Sequence, residues 1–208
     1  MPYAPTRFLR STLRLLLCAG LGSTVLVAGG HTAHGAVVLR YDLQGLVADA
    51  DLIVTGKVMR SEPRWVGGRI ITRHTIACDA VIKGVEVNEV VVEIPGGVID
   101  GIGQKVAGVS QLVEAEQVVM FLAAGKVEPQ VHTVVGLSQG KLRVEPTLDG
   151  PMVVRDLTGL TTVQRQAGGA LQEVPPVLAQ RQSLQSFVKE LVQIVDAQRV
   201  QQPEVSTP

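Results

Sequence analysis

From Leu52 to Arg155 the chain is a succession of short β-branched and aliphatic runs, each cut after a few residues by glycine or proline. That punctuation is what a small all-β barrel or sandwich requires. The expected strands are Leu52 to Arg60, Arg69 to Ile82, Glu89 to Ile94, Lys105 to Val109, Gln117 to Leu122, Val131 to Val135, Lys141 to Glu145 and Met152 to Arg155. Gly56 inside the first implies a bulge or bend, because a position with no side chain wastes packing surface in a flat strand. Ser61 to Gly68, with Pro63 and the pair Gly67-Gly68, reads as a loop. On the long second strand Arg73, Thr75 and Asp79 share one face, while His74, Ile76, Cys78, Ala80 and Ile82 share the other. The glycine-rich stretch from Pro95 to Gly108 is expected to be flexible.

Two helices frame this pattern. Asp42 is placed to cap Leu43 to Ala50, whose Leu43, Leu46 and Val47 fall on one face. From Ser183 the period becomes helical, with Leu184, Phe187, Val188, Leu191, Ile194 and Val195 on a single stripe that should lie on the sheet. The expected organisation is a leader over 1–35, a β domain over 36–160, an exposed linker over 161–180, a helix over 181–197 and a disordered polar tail over 198–208.

The leader has Arg7, Arg10 and Arg14, no acid, and an apolar run from Leu15 to Ala28. That run is shorter than the roughly 20 residues of a membrane-spanning helix and no basic stop signal follows, so it reads as a cleavable export signal. Ala33-His34-Gly35 would make Ala36 the new N-terminus, and Ala28-Gly29-Gly30 is a second candidate. Cys18 invites comparison with a lipid-attachment site, but Leu17 is not the small residue such a site needs. Removing 35 of the 208 residues leaves 173, one domain's worth. It also takes three arginines from a balance of 19 basic and 19 acidic residues, leaving about −3, which disfavours nucleic acid and anionic membranes as partners. The product would be periplasmic or extracellular, without a membrane anchor. Only Cys78 then remains, so no internal disulfide can form, and its apolar neighbours on the strand face predict a buried, unreactive thiol.

Three further strings are Ala80-Val81-Ile82-Lys83-Gly84, Val118-Val119-Met120-Phe121-Leu122 and Gly136 to Lys141. With Asp51-Leu52-Ile53-Val54-Thr55-Gly56-Lys57-Val58 and Pro95-Gly96-Gly97, they resemble a group of exported bacterial proteins of uncharacterised function. The resemblance spans about Leu43 to Val144. One departure is Ala115-Glu116, where the group has Gly-Glu at a turn. More distantly, the order of strands is similar to the netrin-like modules of tissue inhibitors of metalloproteinases. That resemblance implies an OB barrel with a helix packed across it, and together with the elements above the expected fold is mainly β, a small OB-like antiparallel barrel with a short N-terminal helix and a C-terminal helix packed on it. It does not carry over inhibitory chemistry, because the N-terminal cysteine on which those inhibitors depend has no counterpart at Ala36-Val37-Val38.

Chemistry-bearing residues are sparse. Past the leader the histidines are His74 and His132, expected near a rim and exposed respectively. His74 and Cys78 share a strand face but stand about 13 Å apart on a straight strand, too far to hold one metal. No nucleophile elbow, dinucleotide fingerprint or phosphate loop is present, so no catalytic residue, metal or cofactor is assigned. Trp65, the only tryptophan, expected at the tip of the loop between Arg64 and Gly67, is the candidate binding residue. These features favour a non-enzymatic exported module that binds a protein or envelope ligand through its loops. The alternatives are an envelope hydrolase using Glu114, Glu116 or Asp100, or a purely structural envelope component.

Overall fold

The computed structural model describes residues 35–177 and 181–201; the leader up to residue 34, with Cys18, lies outside them. In chain order the elements are β1 (Ala36–Leu39), α1 (Leu43–Asp49), β2 (Leu52–Val66), β3 (Arg69–Lys83), β4 (Glu89–Pro95), β5 (Gly97–Ile99) and β6 (Ile102–Gln104). They continue with β7 (Gln117–Ala124), β8 (Val131–Val134), a 3-10 turn (Leu137–Gly140), β9 (Lys141–Glu145), β10 (Met152–Val154), β11 (Leu160–Arg165), β12 (Leu171–Glu173), β13 (Gln182–Ser183) and α2 (Leu184–Gln201). The protein is mainly β, with one short helix near the N-terminus and one at the C-terminal end.

The main sheet runs β13-β10-β9-β7-β2-β3-β4-β8, and β8 also pairs with β7, so the pairings return on themselves through β7, β2, β3, β4 and β8. Within this sheet β4–β8 is parallel and the other pairs are antiparallel. The continuous apolar runs Leu52-Ile53-Val54 and Val118 to Leu122 have a direct cause, since both faces of β2 and β7 are covered. Leu52, Val54, Val58, Val118, Met120 and Leu122 join Ile76, Val90, Val92 and Ile94 in one buried cluster. Alternate residues Ile53, Val119 and Phe121 point the other way, into a second cluster with Leu46 and Val47 of α1 and Phe187, Leu191 and Val195 of α2. Asp42 accepts the Gly45 amide at 2.7 Å, capping α1 as expected.

Gly56 marks a register shift in the β2–β3 ladder, and a Cβ there would sit 2.3 Å from the Ala77 carbonyl oxygen. Only glycine admits that approach.

Three expectations are corrected. The stretch 161–180 is not simply a linker: β11 pairs in parallel with β1 and antiparallel with β12, and Thr162 and Val163 are buried. Its polar composition hid this because the partner strand lies more than a hundred residues upstream and the bonding is main-chain. No strand forms over Lys105–Val109; Gly108 turns there at φ 74°, where a Cβ would strike Ala36 and Leu160. The stretch ahead of it is instead the hairpin β5–β6. Finally, α2 runs through 198–201, where Gln198 donates to the Gln44 carbonyl of α1, and only 202–208 of the expected tail lie outside the described residues.

Candidate functional site

The expected loop Ser61–Gly68 is mostly strand. β2 continues to Val66 and only Gly67-Gly68 turn, with φ of 56° and 75°, the left-handed pair of a two-residue hairpin. Pro63 is tolerated because β7 pairs with β2 only up to Lys57, so beyond that point β2 is an edge. Trp65 therefore stands on a strand opposite Ile70, not at a loop tip. The hairpin is braced along one side: Arg64 and Arg73 both donate to Glu93, and Arg73 reaches Glu128 at 2.8 Å. Burial pushes the Glu93 carboxyl up, but the bonds from Arg73 and then Arg64 outweigh it and hold it below the usual carboxylate range.

Hairpin β5–β6 lies on the β2–β3 arm. The Ile70 amide donates to Gln104 Oε1 at 2.7 Å, the Gly96 amide to the Ile70 carbonyl at 2.8 Å, and the Thr72 hydroxyl to the Gly96 carbonyl at 2.6 Å. Gly97 permits the contact, as its Cβ would lie 2.4 Å from Thr72 Oγ1. Together the two hairpins leave Trp65 50% exposed, Val66 42%, Val98 63% and Ile102 57%. Asp100 sits in the β5–β6 turn at φ 49° and is exposed.

A polar cluster lies beside this arm. Ser61 is opposite His74 in the ladder, and Ser61 Oγ is 2.9 Å from His74 Nδ1. His74, expected near a rim, is only 4% exposed. Burial first, then the neighbouring Lys141, lowers its pKa from 6.5 to about 4, although Glu114 and Glu116 pull the other way. The imidazole is consequently neutral at pH 7 and a weak base for the serine. Neither acid hydrogen-bonds it: Glu114 accepts the Ser61 amide at 2.9 Å, and Glu116 accepts Lys141 Nζ at 2.6 Å and the Val113 amide at 3.1 Å. A serine, a base and an orienting acid are thus near one another without forming the relay that activates a nucleophile. The Ser61–His74 pair is hidden in the sequence because Pro63 and Gly67-Gly68 give Ser61 to Gly68 the composition of a loop. Counting outward symmetrically from Gly67-Gly68 as a two-residue turn brings the two together.

The turn holding these acids has Ala115 at φ 67°. Alanine adopts this left-handed conformation at a cost of about 1 kcal/mol. Ala115→Gly is expected to raise the thermal midpoint by roughly 2 to 4 °C; a lower midpoint would show that the alanine methyl makes a contact worth more than the strain.

His132 lies on β8, half-buried with its Nδ1 unpartnered. No group of three or more His, Cys, Asp or Glu suited to a metal occurs among the described residues. An open cleft of about 540 Å³ is lined by Lys57, Gln117, Arg143, Glu145, Pro146 and Pro151, among others. Most of its charges are spent, Glu145 on Arg143 and Arg181 and Glu116 on Lys141, and the Gln117 amide donates to Asp79. Arg155 is buried, donating to the Val177 carbonyl at 3.1 Å, and burial lowers its pKa to about 10.

Cys78, expected to be buried, is half-buried instead, packed at the margin of the cluster around Ile76, because Ala80 beyond it is already exposed. Burial, then Asp79, Glu86 and Glu89, still pushes its thiol pKa up. Little thiolate forms near neutral pH, so iodoacetamide should label Cys78 more slowly in the folded protein than in urea. Equal rates would contradict this placement.

No family model matches the chain, and no curated protein is significantly similar to it.

Proposed function

We propose that the protein is a non-enzymatic exported module that binds a protein or envelope ligand through the end formed by β2–β3 and β5–β6. The observation carrying this reading is a half-exposed Trp65 on a braced hairpin, at the end of the arm where Val66 is also exposed and against which the hairpin with exposed Val98 and Ile102 is bonded. Exposed apolar groupings on a rigid support are characteristic of recognition surfaces, where tryptophan is the commonest anchor. The acids of the alternative hydrolase reading serve other bonds, Glu114 on the Ser61 amide and Glu116 on Lys141.

We also read the circuit β2-β3-β4-β8-β7 as a small OB-like barrel. The parallel β4–β8 pairing and the return of β7 to β2 support it, as does the pair of helices packed on one side. OB barrels commonly bind through one face and the loops beside it. Kinship with the exported bacterial group, and removal of the leader before Ala36, belong to the same proposal. The sequence motifs and the basic, apolar leader support them.

The test uses a partner captured from envelope extract. Trp65→Ala should weaken its binding by about 30-fold, equivalent to roughly 2 kcal/mol, with the far-UV spectrum unchanged. Turnover of an envelope polymer that is abolished by Glu114→Gln or Glu116→Gln would overturn the binding reading in favour of the hydrolase.

A further inference from the structure

We propose that Arg155 is the recognition group of a site separate from the hairpin end and independent of it, one that takes an oxyanion of the carboxylate or phosphate class. Two oxygens of that group would meet the Nε–Nη2 edge of the guanidinium.

Arg155 follows β10, a strand held on one side by β9 and on the other by β13, and in the chain it lies between buried Val153 and Leu157. Only 8% of its surface is exposed. Its one hydrogen bond among the described residues runs from Nη1 to the Val177 carbonyl at 3.1 Å. Nε is sealed from solvent and has no partner. The stretch leading to Val177 is itself fixed: the Val174 amide donates to the Thr162 carbonyl at 2.9 Å, and the Thr162 hydroxyl donates to the Val174 carbonyl at 2.6 Å.

This cation has no counter-charge in the chain around it. Arg155 makes no ion pair among the described residues. Burial is the sole cause of its lowered pKa, and at about 10 the group still carries its full charge at neutral pH. Asp156, next in the chain, accepts the Thr158 amide at 2.9 Å, which lowers its pKa, and the cations that add to this effect are Arg143 and Lys141. Residues 1–34 and 178–180 contain no acid, so Glu204 is the only acid outside the described residues.

Buried charges are ordinarily paired, because an isolated one forfeits its hydration and recovers nothing. A methionine or leucine would fill the same space without that loss. The chemistry of the unbonded edge names the ligand class. Its two parallel N–H groups match the two oxygens of a carboxylate or phosphate, and such charge-assisted bonds strengthen where water is excluded.

The probes are sodium phosphate and sodium acetate, each exchanged for sodium chloride at constant ionic strength. The thermal midpoint should rise saturably with at least one of them, by roughly 3 to 6 °C at ten times Kd. The NMR resonance of Arg155 Nε should move over the same concentrations. Arg155→Met should lose the rise and, in chloride, be at least as stable as the wild type, because the buried charge is gone. Arg155→Lys keeps the charge without the fork and should respond more weakly than the wild type. An equal rise in the wild type and Arg155→Met would assign the effect to general salt action and overturn the proposal. So would a midpoint and an Nε resonance that neither anion moves, a result readable on the wild type even if Arg155→Met fails to fold. A response that appears only in Glu204→Gln would make the chain's own acid the counter-ion, and that also overturns it.

Discussion

Replacing Phe187 with alanine is expected to lower the unfolding midpoint by on the order of 10 °C. The ring is 2% exposed and lies in the cluster that joins α2 to α1 and to the sheet through Leu46, Val47, Phe121, Leu142 and Val153. Truncating a buried phenylalanine removes its transfer energy and leaves a cavity, typically costing about 3 to 5 kcal/mol, and each kcal/mol moves the midpoint by roughly 2 to 4 °C in a domain of this size. Leu191→Ala should behave similarly, since Leu191 is fully buried in the same cluster. Val192, one residue on and 42% exposed, is the control, and its alanine variant should change stability by about 0.5 kcal/mol or less. A midpoint unmoved in Phe187→Ala would mean that α2 is not docked in solution.

The second large effect is a loss of stability in mild acid that depends on His74. Its folded pKa, about 4, lies below its ordinary 6.5. Between those values the unfolded chain binds the proton and the folded one does not. The stabilisation is complete above pH 6.5, declines as pH falls, and is spent below about pH 4. The full shift would make the loss between pH 7 and pH 5 about 2 kcal/mol, and incomplete shielding from solvent reduces it to about 1 kcal/mol. Glu93 and Asp156, whose carboxyls are held low, lose their contributions only at lower pH, so the window is cleanest above pH 5. Denaturant midpoints at pH 7 and pH 5 check this: the wild type should shift, and His74→Gln should shift far less. Equal shifts in both proteins would show that the imidazole is not held neutral.

How much of this was legible in the sequence follows from the range of the interactions. The alternation of β4, the bounds of β9 and the cap at Asp42 are local, and they appear in the structure where the residues placed them. The stripe of α2 was equally plain, with Phe187, Leu191 and Val195 all buried. What escaped was non-local. Four residues of β1 carry too little pattern to announce a strand, and β11 and β12 are polar because they need only main-chain partners. Ser61 and His74 were each visible, but their meeting depends on the register of the arm, which the presence of Pro63 disguised as a loop. Trp65 stands out in the sequence as the only tryptophan, but it lies on a braced strand beside a second hairpin and not at a loop tip. The exposed partners Val98 and Ile102 were hidden in a glycine-rich stretch that read as flexible.

Recognition by the hairpin end, as proposed, is distinguishable from recognition by the polar cluster or the cleft. Amide hydrogen exchange, recorded with and without the captured partner, measures this directly. Slowed exchange is expected to concentrate in residues 62–72 and 96–105, around Trp65 and Ile102. Protection centred instead on 113–117 and 143–151, around Glu116 and the cleft, with the hairpin end unchanged, would contradict it.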